Sequence, residues 1–172
     1  MKPLLDATIE TLDQLKELIT ALSPNDYNQP CQGSLSGVGA HVRHITDHFD
    51  AVRDGLAQGY INYNARSRGS DLENNQSLAL DKVGEIHQWL TEGNLQDCAI
   101  DIETEISVNA TNNVRMPTTL SREICYLINH TVHHLAYARV VAAHFDCQLD
   151  KSIGLAPATA SFLRKEEAAA NA

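Results

Sequence analysis

Apolar residues recur every three or four positions along four long segments of this 172-residue chain, the spacing that places them on one face of an α-helix. The segments predicted to be helical are residues 3–22, 37–56, 72–90 and 119 to about 145. Ser34 and Ser36 are candidate N-caps for the second of them, and Thr118 or Thr119 for the last. Helices with one apolar face stabilise a fold by burying those faces against one another, so the pattern predicts a four-helix bundle.

Between the third and fourth predicted helices, apolar residues recur at every second position instead of at every third or fourth. The stretch AIDIETEISV alternates apolar and polar residues, and NATNN follows it as a turn, which predicts a β-hairpin over about residues 99–116. Residues 147–172 form a less regular C-terminal tail, apolar enough to pack on the bundle and frayed at its end. The expected fold class is all-α: a four-helix bundle with a small β-hairpin insertion before the last long helix, as a single domain over residues 1–172.

Charge and composition exclude several classes of partner. The chain carries 13 basic and 22 acidic residues, for a net charge of −9, and the basic residues form no stripe, so nucleic acid is not an expected partner. No run of 18 apolar residues occurs, so no membrane span is expected. Four cysteines are spread along the chain without a CxxC pair. This spacing is typical of reduced thiols and a cytoplasmic location.

The stretch INHTVHHLA concentrates three of the 8 histidines in five positions. His130 and His134 are one helical turn apart and fall on the same flank of the apolar stripe of the last helix. His133 points almost the opposite way on the same helical wheel. An inward pair of imidazoles at this spacing is a common way for a helix to offer two ligands to one metal ion.

The second helix carries His41, His44 and His48 within HVRHITDH, all within about 60° of one another on the helical wheel. Any of the three could supply a third imidazole to the pair on the last helix. Three histidines would leave coordination positions open, which is typical of catalytic rather than structural metal sites. The expected cofactor is a divalent metal ion, with zinc or nickel favoured by imidazole ligands.

GVGAHVRHITDH followed by SREICYLINHTVHHLA resembles the DinB/YfiT-like superfamily of proposed metalloenzymes, and the resemblance runs from the first helix to Phe145. It implies a four-helix bundle in which one histidine of the second helix and an HxxxH pair on the last long helix hold a divalent metal. On this chain it implies the ligands His44, His130 and His134. His48 and His41 are the alternatives on the second helix.

The expected function is that of a metal-dependent enzyme. Three neutral ligands leave the full charge of a divalent ion available to lower the pKa of a bound water or thiol. The resemblance implies a small-molecule substrate and a low-molecular-weight thiol, used by an S-transferase; a metal-dependent hydrolase fits the same ligand set. The alternative is a non-catalytic metal-binding bundle that acts as a stress-related binding or dimerisation module. The expected partners also include a second copy of the chain, in a homodimer.

Two acidic residues near the histidines receive different predictions. Glu123 lies two turns before His130 on the same flank, so it is a candidate to orient a ligand or handle protons. A first-turn acid favoured by the helix dipole is the simpler interpretation of Glu123. Asp47 follows Arg43 by four residues and is expected to be a solvated surface charge. No catalytic residue is assigned from the sequence beyond this role for Glu123.

Overall fold

The computed structural model describes residues 1–31, 33 and 36–171. Within them six helices and three strands follow one another in the order α1 (Lys2–Ala21), α2 (Pro24–Asn28), α3 (Val38–Gln58), β1 (Tyr60–Asn62), α4 (Gln76–Glu92), β2 (Ala99–Glu105), β3 (Asn113–Thr119), α5 (Leu120–Ala143) and α6 (Pro157–Ala170). A single 3-10 turn, Asp71–Glu73, precedes α4. The four predicted long helices are therefore present as α1, α3, α4 and α5.

These four long helices form the bundle. Helix α1 packs against α4 and α5, and α3 packs against the same two helices from the other side. The apolar stripe predicted for α5 is buried along its whole length. Its members are Leu120, Ile124, Leu127, Thr131, Leu135, Ala138 and Ala142. Because α3 and α5 are direct neighbours, side chains on their facing flanks meet inside the bundle.

The sheet is larger than the sequence predicts. Strands β2 and β3 form the expected antiparallel hairpin, with Ala99 opposite Thr119 and Glu105 opposite Asn113. Strand β1 adds a third, parallel strand along β2, with Ile61 opposite Ile102. The prediction of an all-α fold with only a hairpin was therefore incomplete, since the protein is mostly helical with a three-stranded mixed sheet.

The sequence does not predict strand β1, because three residues are too few to show an alternation of apolar and polar positions. Its partner strand is also distant in the sequence. It holds one buried residue, Ile61, between two partly exposed neighbours. The close contact of α3 with β1 depends on a glycine. A Cβ atom at Gly55 would lie 2.7 Å from the Cα atom of Ile61, so only glycine lets the strand pack this close to the helix.

The hairpin bounds also differ from the prediction. Strand β2 ends at Glu105 rather than at Val108, and Ile106 and Val108 are 59% and 100% exposed in the turn. Strand β3 continues to Thr119, which also caps α5 by accepting a hydrogen bond from the Arg122 amide. The sheet thus leads into α5 without a loop, and the predicted Thr119 cap is confirmed.

Two helices that the sequence does not predict and one shifted helix start are the further differences. Helix α2 lies between the first two predicted helices, and the Ser23 side chain caps it by accepting a hydrogen bond from the Asp26 amide. Helix α4 begins at Gln76 instead of residue 72, capped by Asn75. The C-terminal tail contains α6, which runs to Ala170, consistent with its content of alanine, lysine and glutamate.

None of the helices among the described residues combines the length and apolar character that spanning a membrane would require.

Candidate metal centre

Three histidines from two helices converge between α3 and α5. His44, His130 and His134 each offer one ring nitrogen, and these nitrogens all lie within 4.8 Å of one another. The Nε2 atoms of His44 and His130 are 3.1 Å apart. All three side chains are half-buried, so the cluster lies at the edge of the bundle core and not inside it.

The local sequence explains why these side chains meet. His130 and His134 are one turn apart on α5 beside buried Thr131, and their ring centroids are 4.6 Å apart. His44 precedes buried Ile45 on α3, and its ring centroid lies 4.5 Å from that of His134. His133 is exposed, as the helical wheel predicts.

The two alternative histidines of α3 are neighbours of this cluster. His41 Nδ1 lies 3.0 Å from His134 Nδ1, and His41 Nε2 lies 3.1 Å from the hydroxyl of Ser36. His48 donates from Nδ1 to the backbone carbonyl of His44, at 2.8 Å, and its ring centroid is 4.1 Å from that of His130. Neither belongs to the set of three nitrogens that lie together.

Ser36 has a different role from the one predicted. The N-cap of α3 is Gly37, which makes no side-chain cap. The Ser36 hydroxyl instead contacts His41 on the first turn of that helix. The other cap candidate, Ser34, lies outside the described residues.

The three converging histidines are held in the neutral form. Burial, followed by the charges of neighbouring histidines and of Arg66, lowers the pKa of His44 to about 2. Burial and the neighbouring histidines also lower the pKa of His130 to about 3 and that of His134 to about 4. Each neutral ring therefore has one nitrogen with an available lone pair at neutral pH, the form that binds a metal ion. The three nitrogens could together hold a metal ion.

Glu123 occupies a position that neither sequence interpretation describes fully. It lies in the first turn of α5, but its side chain is completely buried. Its carboxylate accepts hydrogen bonds from Tyr63 at 2.6 Å, Thr118 at 2.7 Å and Arg122 at 3.2 Å. These contacts join the segment after β1, the end of β3 and the start of α5. The described hydrogen bonds of Glu123 include none to a histidine, so its observed contacts are structural.

Tyr63 is a residue that the sequence did not identify. Its ring stacks on His48, with centroids 5.3 Å apart, and meets the edge of Tyr126 at 5.4 Å. Tyr126 in turn stacks on His130 at 5.3 Å. The two tyrosines form an aromatic wall on one side of the histidines. Tyr63 stands in a polar stretch that reads as a linker, and no periodic signal distinguishes it.

The prediction for Asp47 was wrong. Its side chain is buried, and it accepts hydrogen bonds from Arg43 Nη1 at 2.8 Å and from the Ser67 backbone and hydroxyl. Arg43 Nε also donates to Glu73 at 2.9 Å. The segment after β1 folds over this face of α3 and encloses the pair, which the spacing of two residues on one helix cannot reveal.

Arg66 brings a positive charge to the neighbourhood of the histidines. Its Nε donates to the Tyr63 carbonyl at 3.4 Å, and its side chain is exposed. Its charge contributes to the lowered pKa of His44, His130 and His134, though less than burial does. Arg66 is therefore a positive charge close enough to act on the histidines, in a chain whose net charge is −9.

No curated protein and no solved structure matches this chain. The chain does match a family, described as the DinB family, over residues 4–142. The match includes all three converging histidines and the helices that carry them, and it confirms the resemblance that the histidine motifs indicate. The protein therefore belongs to the DinB family.

Proposed function

We propose that the protein is a metal-dependent enzyme whose divalent ion, zinc or nickel, is held by His44, His130 and His134. The observation that carries the proposal is the convergence of three ring nitrogens within 4.8 Å from two different helices. Three protein ligands leave coordination positions for a substrate, as in catalytic sites and unlike closed four-ligand structural sites.

The chemistry proposed for this centre is activation of a small-molecule thiol for transfer to an electrophile. A divalent ion with three neutral ligands keeps its charge and lowers the pKa of a thiol that it binds. The guanidinium of Arg66 supports this choice, because a positive charge near the site favours an anionic ligand such as a thiolate. The surrounding side chains orient the three imidazoles, and burial keeps them unprotonated.

The test begins with elemental analysis of protein expressed without a histidine tag. We expect about one zinc or nickel per chain, as three converging imidazoles indicate. Absence of any stoichiometric metal, also after incubation with zinc or nickel salts, would refute the proposal. The metallated and chelated forms are then compared for consumption of a low-molecular-weight thiol with a carbon electrophile. Turnover of ester or amide substrates without any thiol would instead identify a hydrolase.

An Arg66→Gln variant separates the role of the positive charge from that of the metal. It should bind metal at the same stoichiometry and show a higher KM for an anionic thiol. Arg53→Gln is a matched control, since Arg53 pairs with Asp50 elsewhere on α3. An unchanged KM in the Arg66 variant would remove the argument for an anionic ligand and leave the metal site standing.

A further inference from the structure

We propose that His41 is a positioning residue that fixes the ring of His134 by accepting a hydrogen bond from its Nδ1 atom. This inference rests on the proposed metal centre and names a residue that orients one of its ligands. It follows from an unbroken chain of polar contacts that runs from His134 through His41 to Ser36.

The distances admit two opposite sets of protons along this chain, and metal binding by His134 through Nε2 selects one of them. His134 Nδ1 lies 3.0 Å from His41 Nδ1, so one of the two atoms must donate and the other accept. If His134 binds the metal through Nε2, its proton is on Nδ1, and that atom is the donor. His41 then accepts at Nδ1, carries its own proton on Nε2, and donates to the Ser36 hydroxyl 3.1 Å away.

The ring of His134 packs against those of the other two proposed ligands, and the contact with His41 adds a directional hydrogen bond. His134 is half-buried at the edge of the bundle, so core packing does not fully fix its ring. A hydrogen bond to the second ring nitrogen of a ligating histidine sets its tautomer and orientation. His41 is well placed for this, because its ring is itself held by Ser36 on one side and packed against Tyr137, with centroids 4.7 Å apart, on the other.

The contacts also distinguish His41 from His48. The described contact of His48 Nδ1 is with the carbonyl oxygen of His44, and its ring packs at a tilt against the ring of His130, with centroids 4.1 Å apart. His48 therefore supports His130 by ring packing, and this packing does not involve the ring nitrogens of His130. Of these two histidines, His41 is therefore the one whose ring nitrogen contacts a ring nitrogen of a proposed ligand on α5.

The experiment compares two substitutions at one position. The amide oxygen of His41→Asn can occupy the place of Nδ1 and accept from His134, whereas His41→Leu has similar bulk and no acceptor. Cobalt(II) is titrated into each apo protein in competition with a chelator, and the visible absorption band is recorded. His133→Leu is the control, because its exposed ring also packs against His134, at 5.1 Å, but extends from the outer face of α5.

We expect one cobalt ion per chain in every variant. His41→Leu should bind it about 10- to 100-fold more weakly than the wild type, with an altered band, as losses of such outer hydrogen bonds do. His41→Asn should restore most of the affinity and the wild-type spectrum. His133→Leu should match the wild type. Circular dichroism checks that each variant keeps its helices.

Three outcomes would overturn the inference in different ways. Equal affinities for the wild type and His41→Leu would show that the contact with His134 orients nothing. Loss of stoichiometric binding in both His41 variants would make His41 itself a ligand. If the wild type binds no cobalt, the proposed metal centre fails, and the inference about His41 fails with it.

Discussion

Removal of one hydroxyl group from Tyr63 tests the view that Glu123 is a buried structural anchor. Tyr63 is 6% exposed, and its hydroxyl donates to the fully buried Glu123 carboxylate at 2.6 Å. Burial and this hydrogen bond both raise the pKa of Tyr63, so the group stays protonated and remains a donor. Tyr63→Phe deletes the donor and keeps the ring that packs on His48.

The chain offers a matched reference in Tyr27. That side chain is also buried, and its hydroxyl donates to the neutral backbone carbonyl of Leu72 at 2.9 Å. A hydrogen bond to a charged group contributes about 1.5–3 kcal/mol, against about 0.5–1.5 kcal/mol for a neutral pair. Glu123 would retain Thr118 and Arg122 as donors, so we expect a loss near the lower end, about 2 kcal/mol, for Tyr63→Phe and about 1 kcal/mol for Tyr27→Phe.

Urea unfolding followed by circular dichroism measures both losses. With a denaturant slope of about 2 kcal/mol per molar, the midpoint should fall by about 1 M for Tyr63→Phe and by about half as much for Tyr27→Phe. Metal affinity should be unchanged in Tyr63→Phe, because the hydroxyl is directed at Glu123. A loss in Tyr63→Phe no larger than that in Tyr27→Phe would refute the assignment of Glu123 as a charged anchor.

Three further predictions concern the histidines. His130→Ala or His134→Ala should abolish stoichiometric binding of zinc, while His133→Ala should not; metal loss in the His133 variant alone, measured by elemental analysis, would contradict the assignment. Chelation should leave helical circular dichroism largely intact with a modest loss of melting temperature, since the buried stripe of α5 holds the bundle without metal; complete unfolding would indicate a structural site. The metal-free protein should lose stability as pH falls below about 6.5, because unfolded histidines take up protons there while the folded-state pKa of His44 is lowered to about 2 and that of His130 to about 3. The urea midpoint should therefore decrease less steeply with falling pH in His44→Asn than in the wild type. Equal dependence of the midpoint on pH in the two proteins would argue against neutral histidines in the native state.

The helices and the pair His130 and His134 could be predicted because their signals are local, whereas His44 was implied by the family resemblance. The apolar stripe of α5 repeats every three or four residues, and each member is buried. His130 and His134 share a flank of α5 by their spacing alone. The family match over residues 4–142 confirms the bundle type that these motifs indicate.

The remaining features depend on residues that are far apart in the chain. Strand β1 exists because it pairs with β2, about 40 positions later, and three residues contain no period of their own. Asp47 is buried because the segment around Ser67 folds over it, and Tyr63 is fixed by Glu123. A helical wheel or an alternation pattern describes a single helix or strand, so it cannot predict these contacts between distant segments.

Because the converging histidines are far apart in the chain, formation of the cluster reports that the helices carrying them have docked. His44 and His130 are 86 positions apart, yet their Nε2 atoms lie 3.1 Å from each other. A chain in which α5 is helical but not yet docked on α3 would present only His130 and His134. If cobalt(II) is held by all three imidazoles, as proposed, its coloured complex would develop only when α5 has docked on α3. Its rate of appearance during refolding would time that docking step separately from the earlier gain of helical signal.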